Sequence, residues 1–170
     1  MDLAKQPPRR PSNSSIGGIV GLARMVDKAR AHQDETLGAY KYGADSGLDR
    51  DVLEFIGLSA DEFAELVSSS ADDELESHMA SRLKRSPEEV ASFNREYLER
   101  EPQDDLHRQL LVERVAKFAP GNTAVRTVLQ SIELDDWGSF RECDLTQGPP
   151  RSPYLRTVAG AVTLARMADK

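Results

Sequence analysis

Residues 14–33, SSIGGIVGLARMVDKARAHQ, carry the most regular helical pattern in this chain of 170 residues. Apolar side chains recur at the three- and four-residue spacing of an amphipathic helix: Ile16, Ile19, Val20, Ala23 and Val26. Ser14 or Ser15 can cap the start of this helix. Gly17, Gly18 and Gly21 each weaken a helix by about 1 kcal/mol relative to alanine, so we expect a close approach of neighbouring backbone there. The pattern predicts a central first helix.

Much of this segment recurs near the C-terminus. Residues 1–28 align with residues 143–170 without gaps, and 14 of the 28 aligned positions are identical. The sequence therefore predicts a helical domain over residues 1–142 and a partial second copy of the arm and first helix over residues 143–170. The second copy can dock on the first unit, dock on another chain or remain disordered, and the repeated apolar stripe favours docking.

Start and stop signals divide the rest of the first unit into short helices. Ser59 with Glu62, and Ser86 with Glu89, have the spacing of capping boxes. We predict an all-α fold, a compact bundle of about six to eight short helices, with one possible short edge strand near residues 39–42. One core cluster is expected from the apolar stripes: Ile19, Val20, Ala23, Phe55, Phe63, Leu66, Phe93, Tyr97, Leu111, Val115, Val128, Leu129 and Ile132.

The charge distribution limits the classes of partner. The chain has a formal net charge of −7, which argues against general nucleic-acid binding. Residues 34–76 hold 13 carboxylates against Lys41 and Arg50. Cys143 is the single cysteine, so we predict no internal disulfide, no metal site, no cofactor and a cytoplasmic location. The apolar run that ends at Arg24 is too short for a membrane span, and we expect no membrane association.

Several segments together resemble a family of small bacterial proteins known only as a domain of unknown function. They are DLAKQPPRRP (2–11), GGIVGLARMVDKARA (17–31), the loop with Tyr40 and Tyr42, LDRDVLEFIGL (48–58) and RSPEEVASFN (85–94). The resemblance covers about residues 2–140 and implies no established activity, cofactor or catalytic residue. Relatives have histidine between the two tyrosines where this chain has Lys41, which argues against histidine-based chemistry in that loop. Residues 143–170 resemble the opening of a second such unit.

One cluster of residues has the chemistry of an anion site. Arg24, Lys28 and His32 fall on one face of the first helix, with Asp27 beside them. An arginine near a lysine suits phosphate or carboxylate, because arginine forms two parallel hydrogen bonds and lysine supplies a point charge. The complete candidate set is Arg24, Asp27, Lys28, His32, Tyr40 and Tyr42. The alternative is a solvated face with Lys28 mostly exposed and an Arg24–Asp27 pair worth a few tenths of a kcal/mol.

Two functional hypotheses follow. The first, which the sequence favours, is a small helical interaction or scaffold protein that forms a homo-oligomer through the glycine-lined first helix. The second is a small-anion-binding or enzymatic domain that uses Arg24, Lys28, Tyr40 and Tyr42. No catalytic residue is predicted, because His78 and His107 have no nucleophile at a motif spacing. A pocket that encloses those four side chains would favour the second hypothesis.

Overall fold

The computed structural model describes residues 1–141, apart from the side chain of residue 141. Seven helices follow in chain order: α1 (Leu22–Gln33), α2 (Gly47–Ile56), α3 (Ala60–Ser68), α4 (Asp72–Arg82), α5 (Pro87–Glu99), α6 (Asp105–Phe118) and α7 (Val128–Arg141). One 3-10 turn, Gly43–Asp45, lies between α1 and α2. The prediction of an all-α bundle of six to eight short helices is confirmed. The predicted second copy over residues 143–170 lies outside the described residues.

The possible edge strand near residues 39–42 does not form, since residues 1–141 contain no strand. Tyr42 has extended backbone, with φ −123° and ψ 148°. A strand also needs a hydrogen-bonded partner strand, and here the carbonyl oxygen of Lys41 accepts from Nζ of Lys28 at 3.1 Å. The segment is therefore an extended connection tied to α1 by a side chain.

α1 begins at Leu22, later in the chain than the sequence pattern predicted. Three glycines before it have positive φ angles: Gly17 (59°), Gly18 (68°) and Gly21 (87°). This left-handed region suits glycine, because a side chain would clash there. Residue 21, rather than Ser14 or Ser15, precedes the first helical residue. The predicted approach of neighbouring backbone does not occur: a Cβ on Gly21 would lie 3.3 Å from the side-chain atom Cγ2 of Val52, and nothing lies within 4 Å of one on Gly18.

α1 is the central helix of the bundle. Every residue from Leu22 to Ala29 is buried. Its apolar side chains form the main core with residues from α2, α3 and α4: Val52, Leu53, Phe63, Val67, Leu75 and Met79. No side of α1 faces solvent over this span, so any charged side chain there needs a partner inside the protein.

The proline-rich arm packs against the bundle. Its buried side chains are Leu3, Pro7, Pro8 and Pro11. The N–H of Leu3 donates to the carbonyl oxygen of Thr36 at 2.8 Å, which fixes the arm beside the end of α1. This places Arg9 within reach of α1, where it bonds Asp27.

The apolar core divides into two clusters, so the prediction of one cluster is wrong. Val20, Tyr97 and Leu129 form a second, smaller cluster that joins α7 to the rest. α6 has no buried residue, and Leu111 and Val115 are only half-buried. α6 and α7 form a hairpin that packs mainly on itself.

Both predicted capping boxes are present. Oγ of Ser86 accepts from the N–H of Glu89 at 3.2 Å, and the Glu89 carboxylate accepts from the N–H of Ser86 at 2.7 Å. Ser59 and Glu62 form the same arrangement at the start of α3. The side chain of Ser46 caps α2 and also contacts Lys28, so this cap belongs to the candidate site as well.

Candidate functional site

Two of the predicted site residues lie inside the protein. Arg24 and Lys28 are each 3% exposed, one turn apart on α1. His32, one turn further on, is exposed because the end of α1 reaches solvent. The expectation that Lys28 is mostly exposed is wrong, since helices and the arm surround α1. Arg24 and Lys28 therefore do not belong to a solvated helical face.

Arg24 is paired with Asp136 on α7. Its Nη1 donates to Oδ2 of Asp136 at 2.6 Å and its Nη2 donates to Oδ1 at 3.2 Å. Nη1 also donates to the carbonyl oxygen of Arg9 at 3.2 Å. Burial opposes the charge, but the nearby Asp136 carboxylate outweighs it and raises the pKa of Arg24. Arg24 is thus a buried cation, held by the two bonds typical of arginine–carboxylate pairs.

Tyr40 completes a group that we call the Arg24 triad: Arg24, Tyr40 and Asp136. The Tyr40 hydroxyl donates to Oδ1 of Asp136 at 2.9 Å, and the Arg24 guanidinium carbon lies 5.4 Å from the tyrosine ring centroid. Burial, with the Asp136 charge, raises the pKa of Tyr40 far above its usual value. The hydroxyl is therefore protonated at neutral pH and is a hydrogen-bond donor.

Lys28 has three acceptors around its Nζ. They are Oδ1 of Asp49 at 2.5 Å, Oγ of Ser46 at 3.1 Å and the carbonyl oxygen of Lys41 at 3.1 Å. Burial lowers the pKa of Lys28, against the opposing charge of Asp49. Three acceptors match the three protons of an ammonium group, so the geometry is that of the charged form. Lys28 thereby fixes the connection between α1 and α2.

Asp27 has a different partner from the one considered in the sequence. The Arg24–Asp27 pair does not form, because Arg24 reaches Asp136 and Asp27 accepts from Arg9. The Asp27 carboxylate receives the main-chain N–H of Arg9 at 2.7 Å and Nη2 at 2.7 Å. Asp27 is 2% exposed. It anchors the arm and does not line the cleft described below.

Tyr42 and His32 also lie away from Arg24. The Tyr42 hydroxyl donates to the carbonyl oxygen of Ala60 at 2.8 Å. The His32 ring lies against the Tyr42 ring, with centroids 5.2 Å apart. Burial raises the pKa of Tyr42 well above its usual value. The structure thus places three of the six predicted residues together, Arg24, Lys28 and Tyr40, and separates the others from them.

A cleft of about 540 Å³, which we call the Arg24 cleft, is lined by Arg24, Lys28 and Tyr40. A second arginine–tyrosine–aspartate group, the Arg100 triad, lines the same cleft. There the Tyr97 hydroxyl donates to Oδ2 of Asp51 at 2.7 Å, and Nη1 of Arg100 donates to the same oxygen at 2.6 Å. The apolar part of the wall comes from the second core cluster and the hairpin: Leu48, Leu110, Val128, Leu129 and Ile132. The cleft therefore combines an apolar wall with ordered polar groups, as small-molecule sites do.

The charged residues at the rim of the cleft, unlike those at its floor, are not all held in ion pairs. Lys41 and Arg50 line the cleft, are exposed and have no ion pair within residues 1–141. Arg114 is held by Asp135 at 2.9 Å. His107 also lines the cleft, but its Nδ1 lies 2.7 Å from Asp104 and not beside a nucleophile. Within residues 1–141 the rim therefore offers two cations without an ion pair, beside two exposed acids without one, Asp45 and Glu101, above a floor of paired charges.

Sequence patterns did not identify the residues that pair with the two buried cations, Arg24 and Lys28. These residues are Asp49, the partner of Lys28, and Asp136, the partner of Arg24. Asp136 follows Asp135 in a helix of mixed polarity, between Leu134 and Trp137. Nothing in the spacing indicates that its partner is Arg24, 112 positions away.

Within residues 1–141, no group of three or more His, Cys, Asp and Glu side chains is arranged to hold a metal ion. None of the seven helices is both long enough and apolar enough to pass through a bilayer.

Comparison with known proteins identifies the family. No curated protein matches the chain. The family model described as a domain of unknown function, DUF5069, matches residues 5–137. The match includes the arm, α1, both triads of the cleft and most of α7. The chain therefore belongs to the DUF5069 family, and the Arg24 cleft lies within its family domain.

Proposed function

We propose that this domain binds a small anionic ligand in the Arg24 cleft. The observation that carries the proposal is the position of two buried cations, Arg24 and Lys28, on successive turns of the central helix and in the wall of one cleft. Tyr40 adds a protonated hydroxyl beside Arg24. Carboxylates and phosphates are the groups that such donors bind most strongly.

The energetics of burial support a role beyond packing. Removing a charged side chain from water costs several kcal/mol in real proteins, and an ion pair regains this only with good geometry. Apolar residues of similar volume often stabilise a core as well or better. Perturbed ionisable groups in a cleft are therefore candidates for a functional site. Arg24, Lys28 and Tyr40 all meet this description.

Ligand binding at Arg24 proceeds by exchange with Asp136. The Asp136 carboxylate occupies the fork of the guanidinium with bonds of 2.6 and 3.2 Å. A ligand carboxylate has the same shape, so it can replace or share this position and also accept from the Tyr40 hydroxyl. Lys28 contributes its field, because its three protons already have acceptors. Lys41 and Arg50 at the rim attract the anion and form its outer contacts.

The test is a thermal-shift and calorimetric titration with inorganic phosphate, malonate and a nucleoside monophosphate at constant ionic strength. A ligand that binds only the native state raises its stability, by about 2.7 kcal/mol at a hundredfold excess over Kd. We expect at least one probe to bind. Tyr40→Phe and the pair Lys41→Gln/Arg50→Gln are expected to weaken it by about tenfold, while the exposed Lys5→Gln leaves it unchanged.

The outcome of the rim variants decides the location. Lys41 and Arg50 have no ion pair in the described chain, so their replacement leaves the fold intact. If Kd is unchanged in both the Tyr40 and the rim variants, the anion binds elsewhere and the proposal is overturned. If all three probes leave the melting temperature and the calorimetric heats unchanged, the proposal fails as well.

The other sequence-based hypotheses remain predictions. Self-association through a glycine-lined first helix was predicted with the glycines inside that helix. In the structure Gly17 and Gly21 lie in turns before α1, where they face Met79 and Val52 of the same chain. Catalysis remains a prediction from the sequence and is not part of the proposal. The preferred function is therefore ligand binding.

A further inference from the structure

A second concavity, the Met79 groove, has a volume of about 400 Å³ and lies where the ends of α2 and α4 meet. Its apolar floor consists of the half-buried Phe55, Ile56 and Leu58, and Met79, which is 2% exposed, packs at its base. Its polar wall consists of three cations, Arg82, Lys84 and Arg85, and no acidic residue lines it. None of these residues lines the Arg24 cleft.

Arg85 has a structural role in this groove. Its Nε donates to the carbonyl oxygen of Phe55 at 3.0 Å, and its guanidinium carbon lies 5.1 Å from the Phe55 ring centroid. Its Nη1 lies 3.3 Å from Glu89, which partly neutralises it. Arg85 therefore closes the end of α2 and supports the wall.

Arg82 and Lys84 differ from Arg85 because neither has a hydrogen bond or ion pair through its side chain within residues 1–141. They are not needed to cap the two helices. The N–H of Gly57 donates to the carbonyl oxygen of Leu53, and the N–H of Leu83 donates to that of Met79. The two cations thus stand beside an apolar floor without a counter-charge.

We propose that the Met79 groove binds a medium-chain carboxylate, with its tail on the apolar floor and its carboxylate at Arg82 and Lys84. The volume lies within the usual range for small-molecule sites, about 300–1,000 Å³. Burying the tail removes apolar surface from water, and the carboxylate supplies the charge that the wall lacks. The site is independent of anion binding in the Arg24 cleft.

The test uses the full chain with ¹³C-labelled methionine methyl groups and octanoate, below its micelle-forming concentration, as the probe. The Met79 methyl resonance is assigned with Met79→Leu. We expect octanoate to shift this resonance in a saturable manner. The double variant Arg82→Gln/Lys84→Gln is expected to raise Kd by about tenfold or more, as loss of a charge-assisted contact predicts. Arg95→Gln, an exposed cation of α5 outside the groove, is the matched control.

Two neutral or short probes define the chemistry. Octanamide has the tail without the charge, and propanoate has the charge without the tail, so both are expected to bind at least tenfold more weakly. Equal binding of octanamide, an unchanged Kd in the double variant or an unmoved Met79 resonance would each overturn the proposal. If Arg95→Gln weakens octanoate binding as much as the double variant does, the carboxylate is attracted by positive charge in general, and the proposal is overturned. All variants are checked for an unchanged melting temperature.

Discussion

Arg9 and Asp27 are joined through both the main chain and the side chain of the arginine. The N–H, Nε and Nη2 of Arg9 all donate to the Asp27 carboxylate, over 2.7 to 3.0 Å. The carboxylate lies in a buried position of α1, while Arg9 belongs to the arm. The pair therefore fixes the arm on the central helix.

Replacing Asp27 by asparagine should destabilise the fold by about 1–3 kcal/mol, because the buried charge-assisted bonds to Arg9 are weakened while Arg9 keeps its ion pair with Asp72 at 2.7 Å. Denaturant unfolding measures the change. Asp34→Asn is the matched control, since Asp34 is mostly exposed and contacts only the N-terminal ammonium. A loss below about 0.5 kcal/mol, as for an ordinary surface substitution, would show that Arg9 finds sufficient solvation without Asp27.

Lys28 and Asp49 should behave as a coupled pair. Lys28→Met leaves the Asp49 carboxylate buried without its cation, and we expect a loss of about 3–5 kcal/mol. Lys28→Met/Asp49→Leu should recover most of that loss, because an apolar pair avoids the desolvation of both charges. The recovery is incomplete, since Asp49 also accepts from the N–H of Gly43 at 3.1 Å. A double-mutant cycle in which the two losses simply add would contradict this.

The glycines before α1 offer a controlled comparison. Gly18→Ala should cost about 1–2 kcal/mol, because φ is 68° and no atom lies within 4 Å of the new Cβ. Gly21→Ala should cost more, since its Cβ would also meet Val52 at 3.3 Å and Leu48 at 3.4 Å. Unfolding midpoints of the two variants measure the difference. Equal losses would mean that Val52 and Leu48 move aside freely.

A substitution at Ile19 tests whether the segment before α1 belongs to the core. It is fully buried in the main cluster, so Ile19→Ala is expected to cost about 2–5 kcal/mol. Val112→Ala on α6 is the control, because Val112 is 64% exposed and should change stability by less than about 0.5 kcal/mol. Chemical denaturation followed by circular dichroism compares them. Similar losses at both positions would remove Ile19 from the centre of the fold.

The environment of Tyr97 predicts that the stability of the fold depends on pH in the alkaline range. Burial, with the hydrogen bond to Asp51, raises the pKa of Tyr97 far above its usual value near 10. Below pH 10 the hydroxyl is protonated in both states, so this contribution is fully present. Above pH 10 the unfolded state loses the proton first, and stability falls as pH rises. Tyr97→Phe should therefore lose less stability between pH 9 and pH 11 than the parent chain, and an identical loss would contradict the assignment.

The helices were predictable because their signals are local. Serine caps, a proline in the first turn and apolar spacing lie within a few residues of one another, and α3 and α5 form where these signals occur. The start of α1 was not predicted, because apolar spacing continues through glycines that are left-handed in the fold, where Asn94 of α5 bonds the N–H of Val20 and the carbonyl oxygen of Gly18. Tertiary contacts there override the helical pattern.

The candidate site was predictable in part. The spacing of Arg24 and Lys28 placed both on one side of α1, and the structure places both beside the same cleft. Periodicity could not show that this side is buried, because burial depends on where α7 and the loop after α1 lie. Tyr42 was grouped with Tyr40 by proximity in sequence, but residues two apart share a face only in a regular strand, which this segment does not form. Tyr42 therefore bonds Ala60 instead of joining the triad.

The buried charges of α1 also make distant parts of the chain depend on one another during unfolding. Arg24, Asp27 and Lys28 take their partners from α7, the arm and α2, at separations of 112, 18 and 21 positions. Detaching the α6–α7 hairpin alone would leave the Arg24 guanidinium without its counter-charge. The small apolar cluster by itself would let that hairpin open as a separate unit, but the ion pair couples its opening to the main core. We therefore expect amide hydrogen exchange in α7 and α1 to report one cooperative event.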